Sequence, residues 1–221
     1  MERSRIIRIK DKIIITNYKC MFSSINKLNI CKLNPSDSEK YEKIMLFRNP
    51  YIRTISCFLD WMIRIPNNNN IIKMSKNQVM GDKQLPKETK FGWLIPILLK
   101  EKAFDFDNYK LLLLENNIIE LFKIYLKLLP KIKYKNQHMH SQVNIIKDTN
   151  FSVDTFINID KKQDIMILKE KIKQYIPINN KSCDKNKQLL SDFIKKDTFY
   201  NNIIYYVYQD DFYYLNNVLY L

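Results

Sequence analysis

Apolar residues in this chain fall into two rhythms. Short unbroken runs, Ile13-Ile14-Ile15 within residues 11–17 and Ile44-Met45-Leu46-Phe47 within residues 43–47, predict strands buried on both faces. Each run is followed by apolar residues at helical spacing. Ile25, Leu28 and Cys31 mark a helix over residues 24–33, with Ser23 or Ser24 as its N-cap. Ile52, Ile55, Phe58 or Leu59, and Met62 mark a second helix, capped by Asn49 and opened by Pro50 at the position proline favours. Between them, Asn34-Pro35-Ser36-Asp37-Ser38 reads as a turn or loop. The order strand, helix, strand, helix predicts an α/β fold with a central parallel sheet flanked by crossover helices. In such sheets ligands gather beyond the carboxyl ends of the strands.

Further along, Pro66-Asn67-Asn68-Asn69-Asn70 is a break, and the polar, basic residues 71–90 read as a long surface loop. Residues 91–102 read as a helix interrupted near Pro96, and residues 109–129 as a helix-rich stretch. Residues 153–159 read as another strand, and residues 161–175 as the helix after it. Asn179-Asn180-Lys181-Ser182 is a linker or loop, and a last helix around 198–209 leads into an aromatic tail. Tyr205, Tyr206, Tyr208, Phe212, Tyr213 and Tyr214 have a spacing that favours core packing over base or sugar stacking.

Composition adjusts this picture in four ways. A length of 221 residues suits a single domain, 1–221, with room for a sizeable core, and 46% apolar residues fit an ordered globular chain. The formal net charge of +14 comes with 31 Lys against 6 Arg, abundant Asn and only two Gly. That bias reads first as the stamp of an AT-rich viral or microbial genome, although the field still favours anionic ligands. The four cysteines form no C-x-x-C pair, and Cys20, Cys31 and Cys57 fall in or beside strand–helix units where buried thiols are ordinary. The early charges of Met1-Glu2-Arg3-Ser4-Arg5 and the short run Trp93-Leu94-Ile95-Pro96-Ile97-Leu98-Leu99 offer neither a secretory leader nor a membrane span. The expectation is a soluble, cytoplasmic protein (host cytoplasm if viral).

The chemistry concentrates in two places. In each, a predicted strand meets a turn carrying a cation and then a helix start carrying hydroxyls: Asn17-Tyr18-Lys19-Cys20-Met21-Phe22-Ser23-Ser24, and Arg48-Asn49-Pro50-Tyr51-Ile52-Arg53-Thr54-Ile55-Ser56. Oriented backbone N–H groups, a helix N-terminus and a fixed cation are what a phosphate needs. The pair resembles the two cofactor motifs of the membrane-type carbohydrate sulfotransferases, whose donor is 3'-phosphoadenosine-5'-phosphosulfate (PAPS). Asn136-Gln137-His138-Met139-His140-Ser141-Gln142 is similar to that family's Asp-x-His-Trp-x-Pro-Gln stretch, and Tyr208-Gln209-Asp210-Asp211-Phe212 to its Tyr-x-x-Asp-Phe. The likeness spans about residues 11–214 and is densest around Arg48.

The resemblance implies a P-loop-like three-layer fold and a residue-by-residue assignment. The loop of Lys19, Cys20, Met21, Phe22, Ser23 and Ser24 would hold the 5' phosphosulfate, with Lys19 against the bridging oxygen. Arg48 and Ser56, eight residues apart as in the family, would hold the 3' phosphate. Arg53 would fix the turn by pairing with a carboxylate. The departures are bulky Tyr18, Met21 and Phe22 where the family has small residues, and Ser141 where it has Pro.

His138 and His140, the only histidines, are candidates for the general base on an acceptor hydroxyl. His138 matches the family stretch, and each histidine has a plain structural alternative. With no third histidine and no nearby cysteine, a metal site is not expected. A Walker-type NTPase is excluded by the missing glycines and by Cys20 after the lysine. The expected activity is sulfuryl transfer from PAPS, without a metal, to a hydroxyl of a glycan or small-molecule acceptor. The alternatives are a catalytically degenerate nucleotide binder and a basic nucleic-acid-binding protein; no specific nucleic-acid motif is present.

Overall fold

The computed structural model describes residues 6–16, 39–68, 70–81, 94–135, 139–149, 152–173 and 185–219. Strands β1 (Ile6–Ile9), β2 (Lys12–Thr16) and β3 (Glu42–Phe47) are followed by helix α1 (Pro50–Phe58). That helix continues through a π-helical stretch (Leu59–Arg64) into a last α-turn (Ile65–Asn68). Next come α2 (Lys76–Gly81), α3 (Leu94–Leu98), α4 (Phe106–Leu114) and α5 (Ile118–Ile132). The chain ends with α6 (Asn144–Thr149), β4 (Thr155–Asn158), α7 (Lys162–Ile172), α8 (Lys185–Lys196), α9 (Thr198–Val207) and α10 (Gln209–Leu219).

The four strands form one sheet in the order β1-β2-β3-β4. β2, β3 and β4 are parallel, as expected from the strand–helix alternation, whereas β1 pairs antiparallel with β2. The fold is therefore mixed α/β with a mostly parallel sheet. β1 has no counterpart in the sequence reading, because Arg8 interrupts its apolar run. Its alternation is nonetheless that of a strand: Ile7 and Ile9 are buried, while the Arg8 guanidinium bonds the Tyr41 hydroxyl at 2.9 Å. Lys10 takes the positive φ of 54° that a two-residue hairpin turn calls for.

The chain divides into two compact units. The first comprises Met1–Arg53, His140–Ser182 and Tyr208–Leu221, and the second Thr54–Met139 and Cys183–Val207. In the first, the sheet is covered on both faces. Ile7, Ile9, Ile14, Ile44, Leu46 and Ile157 meet Leu168 and Ile172 of α7 on one side. Ile13, Ile15, Met45 and Phe47 meet Ile146 of α6 and Leu215 of α10 on the other. Adjacent residues of each run thus serve opposite layers, which is why β2 and β3 carry no polar alternation.

The second unit is helical. Its centre is α5, whose Leu121, Phe122, Tyr125, Leu126, Leu129 and Ile132 are all buried. Phe58 lies 4.8 Å from Phe122, ring centre to ring centre, and Phe193 of α8 lies 6.4 Å from it. Cys57 is buried here, as expected of it.

Several expectations on element bounds are revised. Residues 71–90, read as a loop, include a 3₁₀ turn at Ile71–Lys73 and α2, anchored by buried Ile71 and Val79. The helix around 198–209 is two helices meeting at Tyr208, and α8 has no counterpart in the sequence reading. The tail aromatics also split: Tyr208 is buried, but Tyr205, Tyr206 and Tyr213 are exposed. Among the described residues no helix is long and apolar enough to cross a membrane.

Candidate functional site

The carboxyl ends of β2, β3 and β4 share one edge of the sheet, because Thr16 is in register with Leu46 and Phe47 with Asn158. Lys19, Cys20, Met21, Phe22, Ser23 and Ser24, which follow β2 in sequence, lie outside the described residues, as do His138 and the expected helix 24–33. After β3 come Arg48 and Asn49; after β4 come Ile159 and Asp160.

Arg48 is held on three sides. Its N–H donates to Gln142 Oε1 at 2.8 Å, and its carbonyl accepts from Gln142 Nε2 at 2.8 Å. A primary amide side chain thus adds one more rung to β3 beyond its last ladder pair. The guanidinium Nε of Arg48 donates to Asp160 Oδ1 at 2.9 Å, and the Asn49 N–H donates to Asp160 Oδ2 at 3.1 Å. Asn49 is also the cap expected of it, accepting from the N–H groups of Tyr51 at 2.9 Å and Ile52 at 3.4 Å.

Arg53, one turn into α1, is turned the opposite way, into the interior. It is 2% exposed and faces Asp211, which is 0% exposed, at 3.7 Å. Its Nη2 donates to the His140 carbonyl at 2.6 Å, and its guanidinium lies 5.5 Å from the Tyr208 ring centre. Asp211 accepts from the Val143 N–H at 3.0 Å, from Gln142 Nε2 at 3.4 Å and from the Ser141 hydroxyl. Donors and a guanidinium around a buried carboxylate offset the cost of its burial. The expectation that Arg53 pairs with a carboxylate matches this geometry.

These contacts draw together segments far apart in sequence. Tyr208 and Asp211 of the fourth motif, His140, Ser141 and Gln142 of the third, and Arg48 and Arg53 of the second form one polar cluster. Asp211 sits in the first turn of α10 with its side chain at the centre of the cluster. Asp210 is the exposed partner of Lys147, at 3.1 Å. His140 lies in a bend, is half-buried, and enters the cluster through its carbonyl. Ser56 is half-buried further along α1, in the part of that helix belonging to the second unit.

Asp160 and the backbone-bonding role of Gln142 escaped the sequence reading. A carboxylate immediately after the predicted strand 153–159 was the available signal for Asp160. Among the described residues no group of three or more His, Cys, Asp or Glu is placed to hold a metal ion. No protein-family model, curated protein or solved structure matches this chain.

Proposed function

We propose that the chain is a PAPS-dependent sulfotransferase of P-loop-like three-layer fold, moving a sulfuryl group to a hydroxyl of a carbohydrate or related acceptor. The observation that supports this reading most is the adjacency of parallel β2 and β3, with Thr16 opposite Leu46. The strands that precede the Lys19 and Arg48 motifs in sequence thus end at the same sheet edge, an arrangement that suits one nucleotide with phosphates at both ends. The clustering of His140, Ser141, Gln142, Tyr208 and Asp211 with Arg48 and Arg53 adds to it.

In this reading the acceptor oxygen attacks sulfur while the bond from sulfur to the bridging oxygen breaks. The electron pair goes to the departing 5' phosphate, whose charge Lys19 and the amides around Ser23 and Ser24 stabilise. His138 or His140 takes the acceptor proton. Arg48 holds the 3' phosphate, and on the resemblance Ser56 joins it. Sulfuryl transfer asks little covalent work of the protein, so orientation and electrostatics carry it.

The test is product formation from radiolabelled PAPS over a panel of glycans and small hydroxyl acceptors. Lys19→Ala is expected to lower turnover far more than nucleotide affinity, and Arg48→Ala to weaken nucleotide binding. Normal turnover and affinity in both variants would contradict the two assignments. A catalytically degenerate nucleotide binder is the second reading, favoured by the engagement of Arg48 with Asp160. Nucleotide binding without transfer to any acceptor would select it.

A further inference from the structure

We propose that Asp160 is an internal anion seated in the Arg48–Asn49 cradle, which a ligand phosphate must displace, so that the cradle is masked until a phosphate outcompetes the carboxylate. This inference rests on the nucleotide-binding reading of Arg48 and deepens it.

An ordinary surface ion pair engages two side chains. Here the carboxylate spans two different donors, Oδ1 on the Arg48 guanidinium at 2.9 Å and Oδ2 on the Asn49 backbone N–H at 3.1 Å. A cation beside a backbone amide is the donor set that a phosphate oxygen pair takes. Both parts of the cradle are immobile: Gln142 bonds both backbone polar groups of Arg48, and the Asn49 side chain caps α1.

The backbone bearing Asp160 is fixed as well. The Ile159 N–H donates to the Phe47 carbonyl at 3.0 Å, and the Asp160 N–H donates to Asn158 Oδ1 at 3.0 Å. Displacement therefore requires only rotation of the Asp160 side chain, and the partial exposure of both side chains, 18% for Arg48 and 16% for Asp160, leaves it a way out.

The competition is one of charge. A monoester dianion brings a second charge to the guanidinium and so outcompetes the carboxylate more readily than a monoanion does. Apparent affinity for either falls by the fraction of molecules in which the cradle is open, so removing the internal anion recovers it by the same factor for each.

The experiment is calorimetric titration of the full chain and its Asp160→Asn and Asp160→Ala variants with three probes. These are 3'-phosphoadenosine-5'-phosphate, adenosine 3'-monophosphate, and adenosine 2',3'-cyclic phosphate as the monoanion of the same nucleoside. Circular dichroism melts identify which variants are folded. In a folded variant the bisphosphate is expected to bind about tenfold tighter than to the parent, and the 3'-monophosphate and the cyclic ester are each expected to gain by a similar factor. Unchanged or weaker bisphosphate binding by the folded variants, with the parent binding, overturns this proposal alone and makes Asp160 a positioning residue for Arg48. No binding by parent or variants at millimolar probe overturns it together with the nucleotide reading.

Discussion

The side-chain amide of Gln142 closes on both backbone polar groups of Arg48, accepting from its N–H and donating to its carbonyl at 2.8 Å each. A residue 94 positions away thereby decides how the chain leaves β3. The same amide reaches Asp211 at 3.4 Å, so the shape of the turn and the buried Arg53–Asp211 cluster are coupled.

Gln142→Leu keeps the volume but leaves the Arg48 N–H and carbonyl without the amide. Loss of two such bonds in a shielded place is expected to destabilise the protein by about 2–4 kcal/mol, read as a lower urea midpoint at unchanged slope. A midpoint within error of the parent would show that the turn holds without the amide.

Arg53 and Asp211 form a buried pair, so removing either leaves a stranded charge. Asp211→Ala and Arg53→Met are each expected to cost about 3–5 kcal/mol, and the double variant clearly less than their sum. Strict additivity in the urea-unfolding cycle would mean that the two side chains stabilise the fold independently.

Glu42 lies at the opposite end of the sheet, at the start of β3, where its carboxylate accepts from Lys171, the Thr155 hydroxyl and Lys12. The Lys171 ammonium above all holds its pKa down at about 2, from an ordinary 4.5. The native state therefore binds its proton less readily than the unfolded chain. The stabilisation is complete above about pH 4.5 and is lost as pH falls towards 2. Allowing for the partly solvated surroundings, it is worth on the order of 1 kcal/mol. Glu42→Gln is expected to lower the melting temperature at pH 7 and to match the parent near pH 2. A difference that is constant with pH would contradict an ionic origin.

Tyr109 donates its hydroxyl to the Met62 carbonyl at 2.7 Å, inside the π-helical stretch. Burial pushes its phenol well above the ordinary tyrosine range. In a spectrophotometric titration, Tyr109→Phe is expected to leave the phenolate absorbance gained up to the ordinary tyrosine range unaltered. Loss of amplitude within that range in Tyr109→Phe would place the hydroxyl in contact with water.

How much of this was legible in the sequence depended on distance along the chain. β2 and β3 announced themselves, since a strand buried on both faces has no polar alternation to confuse it. Asn49 and Pro50 marked the start of α1 with purely local chemistry. β1 escaped notice because Arg8 hid the period-two pattern of Ile7 and Ile9. The Arg53–Asp211 pair was half legible: a carboxylate partner was expected for Arg53, but its identity depends on α10 returning to the sheet. The Arg48–Asp160 contact depends on β3 and β4 being neighbours, a fact of topology that no local pattern carries.

The most direct test of the proposed function is calorimetric titration of the protein with 3'-phosphoadenosine-5'-phosphate, with AMP as the control that lacks the 3' phosphate. Tight binding of the bisphosphate with weak binding of AMP is the expected result, and Arg48→Ala should abolish the difference. Equal affinity for the two nucleotides, or binding of neither, would contradict a 3'-phosphate site at Arg48 and with it the sulfuryl-donor reading.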